Sequence, residues 1–380
     1  MKKETKMDEN RVKNFGAVIS RLISKENLSR EEVKDCFSQI MRNEQPDLQQ
    51  GAFMAALTAK GETASEIAGV WEAIYEQDTV RVKLQVNKPV VDNCGTGMDS
   101  LKTFNISTAA SIVAAAGGVV LAKHGARALS GSCGTIDMLE SLGVDVETDV
   151  ETVKRSIETV GIGIFNGMSA KVHPQALFRI LSQIRFGTTL NIAGSLANPA
   201  LPHYAVRGVY SSELLQPVAE VMREIGYKKA LVIFGSAPGG RGMDELSNLG
   251  ESRIAELGED GQITEYSLSP ADFGLKVRQA EDILTSGDKQ GETLRLLRIL
   301  SGNENGAAFE VVCLNTAPVF YVAGAVSSLR EGYAKAAEII RSGVAIAKLR
   351  QWIQAQNTNP EAGIARLESL LGELDGAKIS

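Results

Sequence analysis

Cysteine is scarce in this chain of 380 residues, and its four occurrences lie far apart. They are Cys36, Cys94, Cys133 and Cys313, and no two of them form a CxxC pair. Structural zinc sites and disulfide frameworks need cysteines at short, regular spacings, so the sequence predicts neither. Unpaired cysteines are typical of a reducing compartment, and we therefore expect a cytoplasmic protein.

Long apolar runs and long basic runs are also missing. The N-terminus is charged, no signal-type apolar segment follows it, and the apolar stretches elsewhere are interrupted by glycine. The formal net charge is -6, from 40 basic and 46 acidic residues. These features predict no membrane span and argue against nucleic acid as a partner, so any phosphate must be bound by a local site.

The spacing of apolar residues divides the chain into two kinds of structure. After a polar start, apolar residues recur at helical spacing without strand signals. From Val90 short apolar strands alternate with helices, a pattern typical of a mainly parallel sheet. We therefore predict an α/β protein with a small all-helical N-terminal domain and a larger α/β domain around a mainly parallel central sheet. The predicted parts are a polar tail at 1–14, a helical domain at 15–86 completed by a segment near 173–203, and an α/β domain at 87–172 and 204–380.

A glycine-rich loop, Asp92–Asp99, stands between a predicted strand and a predicted helix. Gly95 and Gly97 lack a Cβ atom, so the backbone can turn consecutive N–H groups toward one anion. The helix, whose apolar part is predicted to run through Ala109–Val120, would add its positive N-terminal end. The dinucleotide fingerprint is excluded because its third glycine would fall at Ser100. The loop predicts a phosphate or pyrophosphate site, although such turns also use glycine for steric reasons alone.

Two more polar segments follow predicted strands. Lys123 puts a cation before glycine-flanked hydroxyls at 130–132, which suits a phosphate clamp as well as an ordinary solvated turn. His124 either contacts a substrate or supports the loop. Asp244 and Glu245 end a glycine-rich segment, and adjacent carboxylates bind Mg²⁺ when a polyphosphate supplies further ligands, although such pairs also occur as solvated surface. Because parallel strands end at one edge of a sheet, we expect the three loops to converge on one ligand.

Taken together, these segments resemble the anthranilate phosphoribosyltransferase family. The resemblance extends over nearly the whole chain, from about residue 15 onward, and its blocks occur in the family's order. The blocks are Asp92–Asp99 with Thr103–Thr108, Lys123–Arg127 with Ser130–Gly131 and Asp137–Gly143, Asn191–Ala200, Gly242–Ser247 and Pro270–Leu275.

This resemblance implies a reaction and a set of site residues. The reaction is transfer of the phosphoribosyl group from phosphoribosyl diphosphate to the amine of anthranilate, with release of pyrophosphate, in tryptophan biosynthesis. The family also implies two Mg²⁺ ions per active site and a homodimer formed through the helical domain, and no general acid or base is assigned. The donor-binding residues it implies are Gly95, Thr96, Gly97, Asp99, Asn105, Ser107, Thr108, Lys123 and Ser130. The implied metal ligands are Ser107, Asp244 and Glu245, and the implied acceptor-binding residues are His124, Gly125, Ala126 and Arg179.

Departures from the family pattern concentrate on the acceptor side. Met98 stands where the family has a glycine, and Ala126 stands where it has an asparagine. Ser195 replaces a proline, and the segment from His173 to Asn191 is shorter than in the family. A phosphoribosyltransferase with another aromatic acceptor is therefore one alternative. A pyrimidine nucleoside phosphorylase is another, because 130–141 is similar to that family too, and a non-catalytic nucleotide- or nucleic-acid-binding paralogue is a third.

Overall fold

The N-terminal helices begin where the sequence supplies capping residues and then apolar residues at helical spacing. The computed structural model describes residues 9–97, 99–127, 133–184 and 186–376. Ser29 and Thr63 each open a helix with a capping box, in which the hydroxyl accepts an N–H three residues on and the glutamate there caps the hydroxyl residue in return. The four helices are α1 (Glu9–Ile23), α2 (Arg30–Met41), α3 (Asp47–Lys60) and α4 (Ala64–Gln77).

Helix α1 begins earlier than the sequence suggested. Its first residue is Glu9, so residues 9–14 of the predicted polar tail are helical. The reason is tertiary packing, because Phe15 is buried with its ring centroid 5.3 Å from that of Phe53. A helix anchored by such a contact extends through polar residues that show no apolar pattern of their own.

A later stretch of chain belongs to the same compact unit, which comprises Met1–Val80 and Met168–Ala197. It contributes α8 (Leu177–Ile184) and α9 (Leu190–Leu196). The buried carboxylate of Asp78 accepts the backbone N–H groups of residues 175–177 and so satisfies donors at the start of α8.

The second compact unit, Arg81–Gly167 with Asn198–Ser380, is built on one sheet. Within the described chain the sheet has eight strands in the order β3-β2-β1-β4-β5-β7-β8, with β6 paired to β5. The neighbours from β3 to β5 are parallel, and the pairs of β5 with β6, β5 with β7 and β7 with β8 are antiparallel. The strands are β1 (Val90–Cys94), β2 (Val120–Gly125), β3 (Ile162–Asn166), β4 (Tyr204–Gly208), β5 (Lys229–Ala237), β6 (Arg241–Met243), β7 (Ser252–Leu257) and β8 (Ile263–Leu268).

This architecture confirms the predicted fold class of a helical N-terminal part and a larger α/β part with a mainly parallel sheet. The two units are defined by the compactness of their packing. The domain limits predicted from the sequence stay a prediction.

Helices pack around the sheet, and α12 is the most buried of those described. It is almost wholly enclosed, lies against α5 and α13, and includes the apolar run at 311–314. Among the described helices, none combines the length and the apolar run that crossing a membrane requires. The helices of this unit are α5 (Ile106–Ala116), α6 (Thr135–Ser141), α7 (Val150–Val160), α10 (Leu215–Glu224), α11 (Lys289–Leu300), α12 (Ala307–Val322), α13 (Leu329–Arg341), α14 (Val344–Ala355) and α15 (Pro360–Gly376).

Helix α5 is shorter than the apolar run that predicted it. It ends at Ala116, and Val120 already belongs to β2. Gly118 has a φ of 89°, a left-handed value that stops a helix and that glycine adopts without strain. At Gly117 a Cβ atom would lie 2.5 Å from the ring of Phe320, so the close approach of α12 also requires a glycine here. The two glycines therefore turn one apolar run into a helix and a strand.

A buried ion pair joins α3 to α4 in the helical unit. The Lys60 ammonium lies 2.8 Å from a Glu66 carboxylate oxygen, and both side chains are almost completely buried. The same ammonium donates to Asn27 Oδ1 and the Gly61 carbonyl, and Glu66 accepts the Leu28 N–H. Each charge is therefore satisfied by polar partners as well as by its counter-charge.

We predict that Lys60→Met lowers the free energy of unfolding by about 3 kcal/mol, because it leaves the Glu66 carboxylate buried without its counter-charge. Urea unfolding followed by circular dichroism would measure the change. Lys13→Met, which removes an exposed lysine from α1, is the matched control and should change stability by less than about 0.5 kcal/mol. Equal losses in the two variants would contradict the role given to the pair.

Candidate active site

The glycine loop after β1 and the acidic loop after β6 meet directly. The backbone N–H of Gly97 donates to Asp244 Oδ2 at 2.8 Å, and the Thr96 hydroxyl donates to the same oxygen at 3.2 Å. Two of the three predicted loops therefore converge, as the sequence suggested. Because Asp244 accepts from both residues, its carboxylate is fixed in place by the glycine loop.

Glycine is required at several positions here because side chains would occupy the place of the acidic pair. A Cβ atom on Gly95 would lie 2.3 Å from Asp244 Oδ2, and one on Gly208 would lie 1.7 Å from the Asp244 carbonyl oxygen. At Gly235 the clash would be with the Glu245 carbonyl oxygen, at 2.3 Å. All three distances are shorter than non-bonded atoms tolerate, so the geometry of the acidic pair depends on these glycines.

Ser100 joins the same two loops a second time. Its hydroxyl accepts the Gly242 N–H at 2.9 Å, and the Leu101 N–H donates to the Gly242 carbonyl at 3.1 Å. Sequence reasoning used Ser100 only to exclude a dinucleotide fingerprint and missed this role. The available signal was its place directly after Asp99, the last residue of the glycine-rich loop.

Three carboxylates form a group that we call the acidic trio: Asp99, Asp244 and Glu245. Each contributes an oxygen within 4.8 Å of the others, and Asp99 and Asp244 are buried. Burial, and then the charge of Asp244, raise the pKa of Asp99 to about 7. Burial also raises the pKa of Glu245 well above its usual range, and the charges of Asp244 and Asp99 add to this. The sequence had placed Asp99 with the donor ligands, so its membership of the trio is new.

The trio has the chemistry of a divalent-cation site. Hard cations such as Mg²⁺ take oxygen ligands, and crowded carboxylates repel one another until a cation neutralises them. Glu245 Oε2 is buried and has no hydrogen-bond partner among the described residues. Such an orphaned oxygen is costly unless a ligand uses it, so these residues fit a bound cation.

Lys123, the cation predicted to clamp a phosphate, lies behind the loop. Its side chain is 2% exposed, and its ammonium donates to the Asn93 carbonyl and, at 3.0 Å, to the Ser111 hydroxyl. Burial lowers its pKa. Lys123 therefore supports the end of β1 from within, and the expected open clamp is not the arrangement observed.

Lys102 is the exposed cation of this loop. About half of its side chain is accessible, and its Nζ lies 3.3 Å from the Gly97 carbonyl oxygen and 3.7 Å from Asp99 Oδ1. Sequence reasoning gave Lys102 no role.

Comparison with known proteins identifies the family. A model described as "Glycosyl transferase family, a/b domain" matches residues 87–346, and the helical bundle domain of the same family matches residues 17–77. An anthranilate phosphoribosyltransferase from Desulfosudis oleivorans is 37% identical over 349 residues, which cover 91% of this chain and 99% of that protein. The chain belongs to the anthranilate phosphoribosyltransferase family. The resemblance inferred from the sequence is thus confirmed, and the chain is a glycosyltransferase by family.

Other members of the family give the same picture. The enzyme from Anaeromyxobacter dehalogenans strain 2CP-C is 39% identical over 340 residues, 89% of this chain and 97% of that protein. The crystal structure of the Thermus thermophilus enzyme superposes with a TM-score of 0.80 at 35% identity and covers 89% of this chain and 98% of that one. The Saccharomyces cerevisiae enzyme, solved in complex with PRPP and Mg, shares the fold with a TM-score of 0.78 at 23% identity, over 92% of this chain and 98% of that one.

The residues that the family implies at the start of α5 differ in accessibility. Asn105 donates through Nδ2 to the Cys133 carbonyl at 3.2 Å, and the Ser107 side chain is partly exposed. Thr108 is fully buried, and its hydroxyl has no partner among the described residues. Ser107 is thus the more accessible of the two hydroxyls. Ser130, the remaining donor residue, lies outside the described residues.

The acceptor residues implied by the family lie in both units. In the α/β unit His124 is buried, Gly125 is partly exposed and Ala126 is exposed. A Cβ atom on Gly167 would lie 2.7 Å from His124 Nε2, so a glycine leaves room for the imidazole. In the helical unit, Arg179 donates to Gln50 Oε1 at 3.1 Å and to the Ile40 carbonyl at 2.9 Å. Its guanidinium is therefore already engaged within that unit.

The acidic trio predicts a pH-dependent stability. The pKa of Asp99 is raised, so the folded protein binds this proton more tightly than the unfolded chain does, and the free energy of unfolding falls as the pH rises from about 4 to about 7. Asp99→Asn removes the ionisation. At pH 8, without divalent cations, it should raise the free energy of unfolding by about 2 kcal/mol, and at pH 4 the gain should be small.

Urea unfolding at the two pH values would measure this difference. Asp282→Asn, at an exposed aspartate, is the matched control and should change stability equally at both. A gain for Asp99→Asn that does not depend on pH would rule out charge crowding as its cause.

Proposed function

We propose that this chain transfers the phosphoribosyl group of phosphoribosyl diphosphate to the amine of anthranilate and releases pyrophosphate, a step of tryptophan biosynthesis. The observation that carries the proposal is the acidic trio held against the glycine loop in a chain that aligns with curated anthranilate phosphoribosyltransferases over about nine-tenths of its length. A donor that carries a diphosphate and divalent ions requires both the acidic trio and the glycine loop.

The donor would lie on the glycine loop. Backbone N–H groups around Gly95 and Gly97 and the start of α5 present positive ends, which suits a diphosphate. Thr96, Asp99, Asn105, Ser107, Thr108 and Ser130 are the further donor residues that family membership suggests. Asp244, Glu245 and Ser107 would hold two Mg²⁺ ions, and the orphaned oxygen of Glu245 supports a ligand there. When bound, Mg²⁺ would neutralise the charge of the departing diphosphate.

The site residues would act through position and charge. As the bond between ribose C1 and the diphosphate oxygen breaks, positive charge grows on the sugar and negative charge on the diphosphate. The loop N–H groups other than that of Gly97 would stabilise that negative charge, and the hydrogen bond from Gly97 to Asp244 holds the loop that carries them. The arylamine attacks C1 with its nitrogen lone pair, which is unprotonated at neutral pH. The nitrogen becomes positively charged as the new bond forms, and it then loses a proton to solvent. Holding the amine next to C1 is therefore sufficient, and no strong base is assigned.

Lys123 would act from beneath the loop. Its buried ammonium contacts the Asn93 carbonyl at the end of β1, and in a low-dielectric environment its charge is felt over a longer distance than it would be in water. The Lys123 charge would therefore stabilise the negative charge on the departing diphosphate without contacting it.

The acceptor assignment has one competitor, a different aromatic amine. Ala126 offers no side-chain amide, and the Arg179 guanidinium is committed to Gln50 and the Ile40 carbonyl. If anthranilate is the acceptor and Arg179 meets its carboxylate, the guanidinium would use N–H donors beyond the two that contact Gln50 and the Ile40 carbonyl. The acidic trio disfavours a pyrimidine nucleoside phosphorylase, because phosphorolysis releases no metal-bound pyrophosphate.

Two further properties belong to the proposal. A homodimer through the helical unit is supported by the exposed apolar side chains of Ile23, Leu48, Phe178 and Phe186. A cytoplasmic location is supported by the four cysteines, none of which is paired with another in the described chain.

The metal assignment predicts the behaviour of Glu245→Gln, which keeps the shape of the side chain and removes its charge. The Mg²⁺ concentration at half-maximal pyrophosphate release should rise at least about tenfold. Isothermal titration with Mg²⁺ alone should show the same loss of affinity. Glu251→Gln, at an exposed glutamate on the same stretch of chain, is the control and should behave as wild type. The metal assignment would be refuted by identical Mg²⁺ dependence in the two variants.

The acceptor assignment predicts a strong preference for anthranilate over aniline, which lacks the carboxylate. The ratio of their kcat/KM values should be at least about 100, since a carboxylate pocket left unpaired typically costs several kcal/mol. Steady-state pyrophosphate release with each amine would measure it.

Arg179→Met should lower that ratio toward one while leaving the KM for phosphoribosyl diphosphate unchanged. A high ratio that persists in this variant would remove Arg179 from the acceptor site, and a ratio near one in the wild type would favour another aromatic amine as the acceptor.

A further inference from the structure

Two lysines beside the glycine loop differ sharply in accessibility. Lys123 is 2% exposed and its ammonium is held by the Asn93 carbonyl and the Ser111 hydroxyl. The Lys102 side chain is 47% exposed, with its Nζ between the Gly97 carbonyl and the Asp99 carboxylate. The Lys102 ammonium can therefore reach a ligand that arrives from solvent, whereas the Lys123 ammonium is enclosed by protein.

We propose that Lys102 is an exchangeable counter-cation of the acidic trio. It neutralises part of the trio's charge while no divalent cation is bound. When a divalent cation takes its place, the Lys102 ammonium turns to the diphosphate of the donor. This second half rests on the proposed function.

The backbone at Lys102 is fixed, so only the side chain needs to move. The Lys102 carbonyl accepts the Thr285 N–H at 3.0 Å, and the Phe104 N–H donates to the Ile283 carbonyl at 3.3 Å. Leu101, the preceding residue, is fully buried. Lysine carries its charge at the end of a flexible four-carbon stem, which allows such a movement without any change of the loop.

The contacts of the ammonium are weak enough to be exchanged. Its separation from Asp99 Oδ1 is 3.7 Å, longer than a hydrogen-bonded ion pair, and the group is open to solvent. Ion pairs of this kind contribute little to stability. A divalent cation carries twice the charge and can bind all three carboxylates, so it would displace the lysine.

For the Lys102→Met variant, the proposal predicts opposite changes in the affinities for Mg²⁺ and for phosphoribosyl diphosphate. Titrated with Mg²⁺ alone, the variant should bind the ion about threefold more tightly than wild type, because a competing cation is gone. With Mg²⁺ saturating, it should bind phosphoribosyl diphosphate about tenfold more weakly, because a charge-assisted contact is lost. Lys102→Arg should keep the Mg²⁺ affinity of the wild type.

Lys88→Met is the matched control. Lys88 is exposed in the same unit, its Nζ donates to the Gly118 carbonyl at 3.2 Å, and it lies before β1, at the opposite end of the strand. The variant carries the same change in net charge and should alter neither affinity. Thermal unfolding of each variant checks that the fold is retained.

Mg²⁺ affinity that is unchanged or weaker in Lys102→Met, or donor affinity that matches Lys88→Met, would overturn the proposal. A wild-type protein that binds Mg²⁺ but no phosphoribosyl diphosphate would overturn the proposed function and the donor half with it. The Mg²⁺ comparison still decides the first half in that case.

Discussion

The crowding of three carboxylates under a glycine loop is the constraint on which the rest of the site depends. Two like charges no more than 4.8 Å apart repel each other by at least about 3 kcal/mol at an effective dielectric constant of about 20. The protein offsets part of this through the Gly97 N–H and the Thr96 hydroxyl, which both donate to Asp244. It can do so only because Gly95 and Gly208 have no side chain where Asp244 lies. These two glycines thus make room for Asp244, a role separate from the phosphate binding for which glycine loops are known.

A second set of charges is buried beneath the loop. Asp92, Lys123 and Arg207 lie on three neighbouring strands and are each at most 3% exposed. Burial raises the pKa of Asp92, while the charges of Lys123 and Arg207 oppose that rise. Buried charges of this kind are tolerated only when they compensate one another. The loop therefore lies over a buried group of charged side chains, and Lys123 belongs to that group.

The sequence predicted those parts of the structure that local pattern determines. Alternating strands and helices gave the fold class, and the positions of Gly97 and Asp244 at predicted strand ends were enough to bring them together. Prediction from the sequence failed where packing between distant segments determines the position of a side chain. Nothing near Lys123 indicates that its ammonium turns inward, because that depends on Asn93 and Ser111. Arg179 contacts Gln50 and Ile40, which lie far from it in the chain. Local sequence patterns could not predict these contacts either.

The change of strand direction at β5 explains why an acidic group can form beside the positive end of a helix. After β1 the chain enters α5, whose N-terminal end favours negative ligands. After β5 the chain turns through Gly239 and Gly240, both with positive φ, and returns as the antiparallel β6. A helix in that position would place a second positive end at the site, whereas the hairpin delivers Asp244 and Glu245. In the proposed function, the parallel half of the sheet would thus bind an anion and the antiparallel half a cation, and a diphosphate carrying divalent ions needs both.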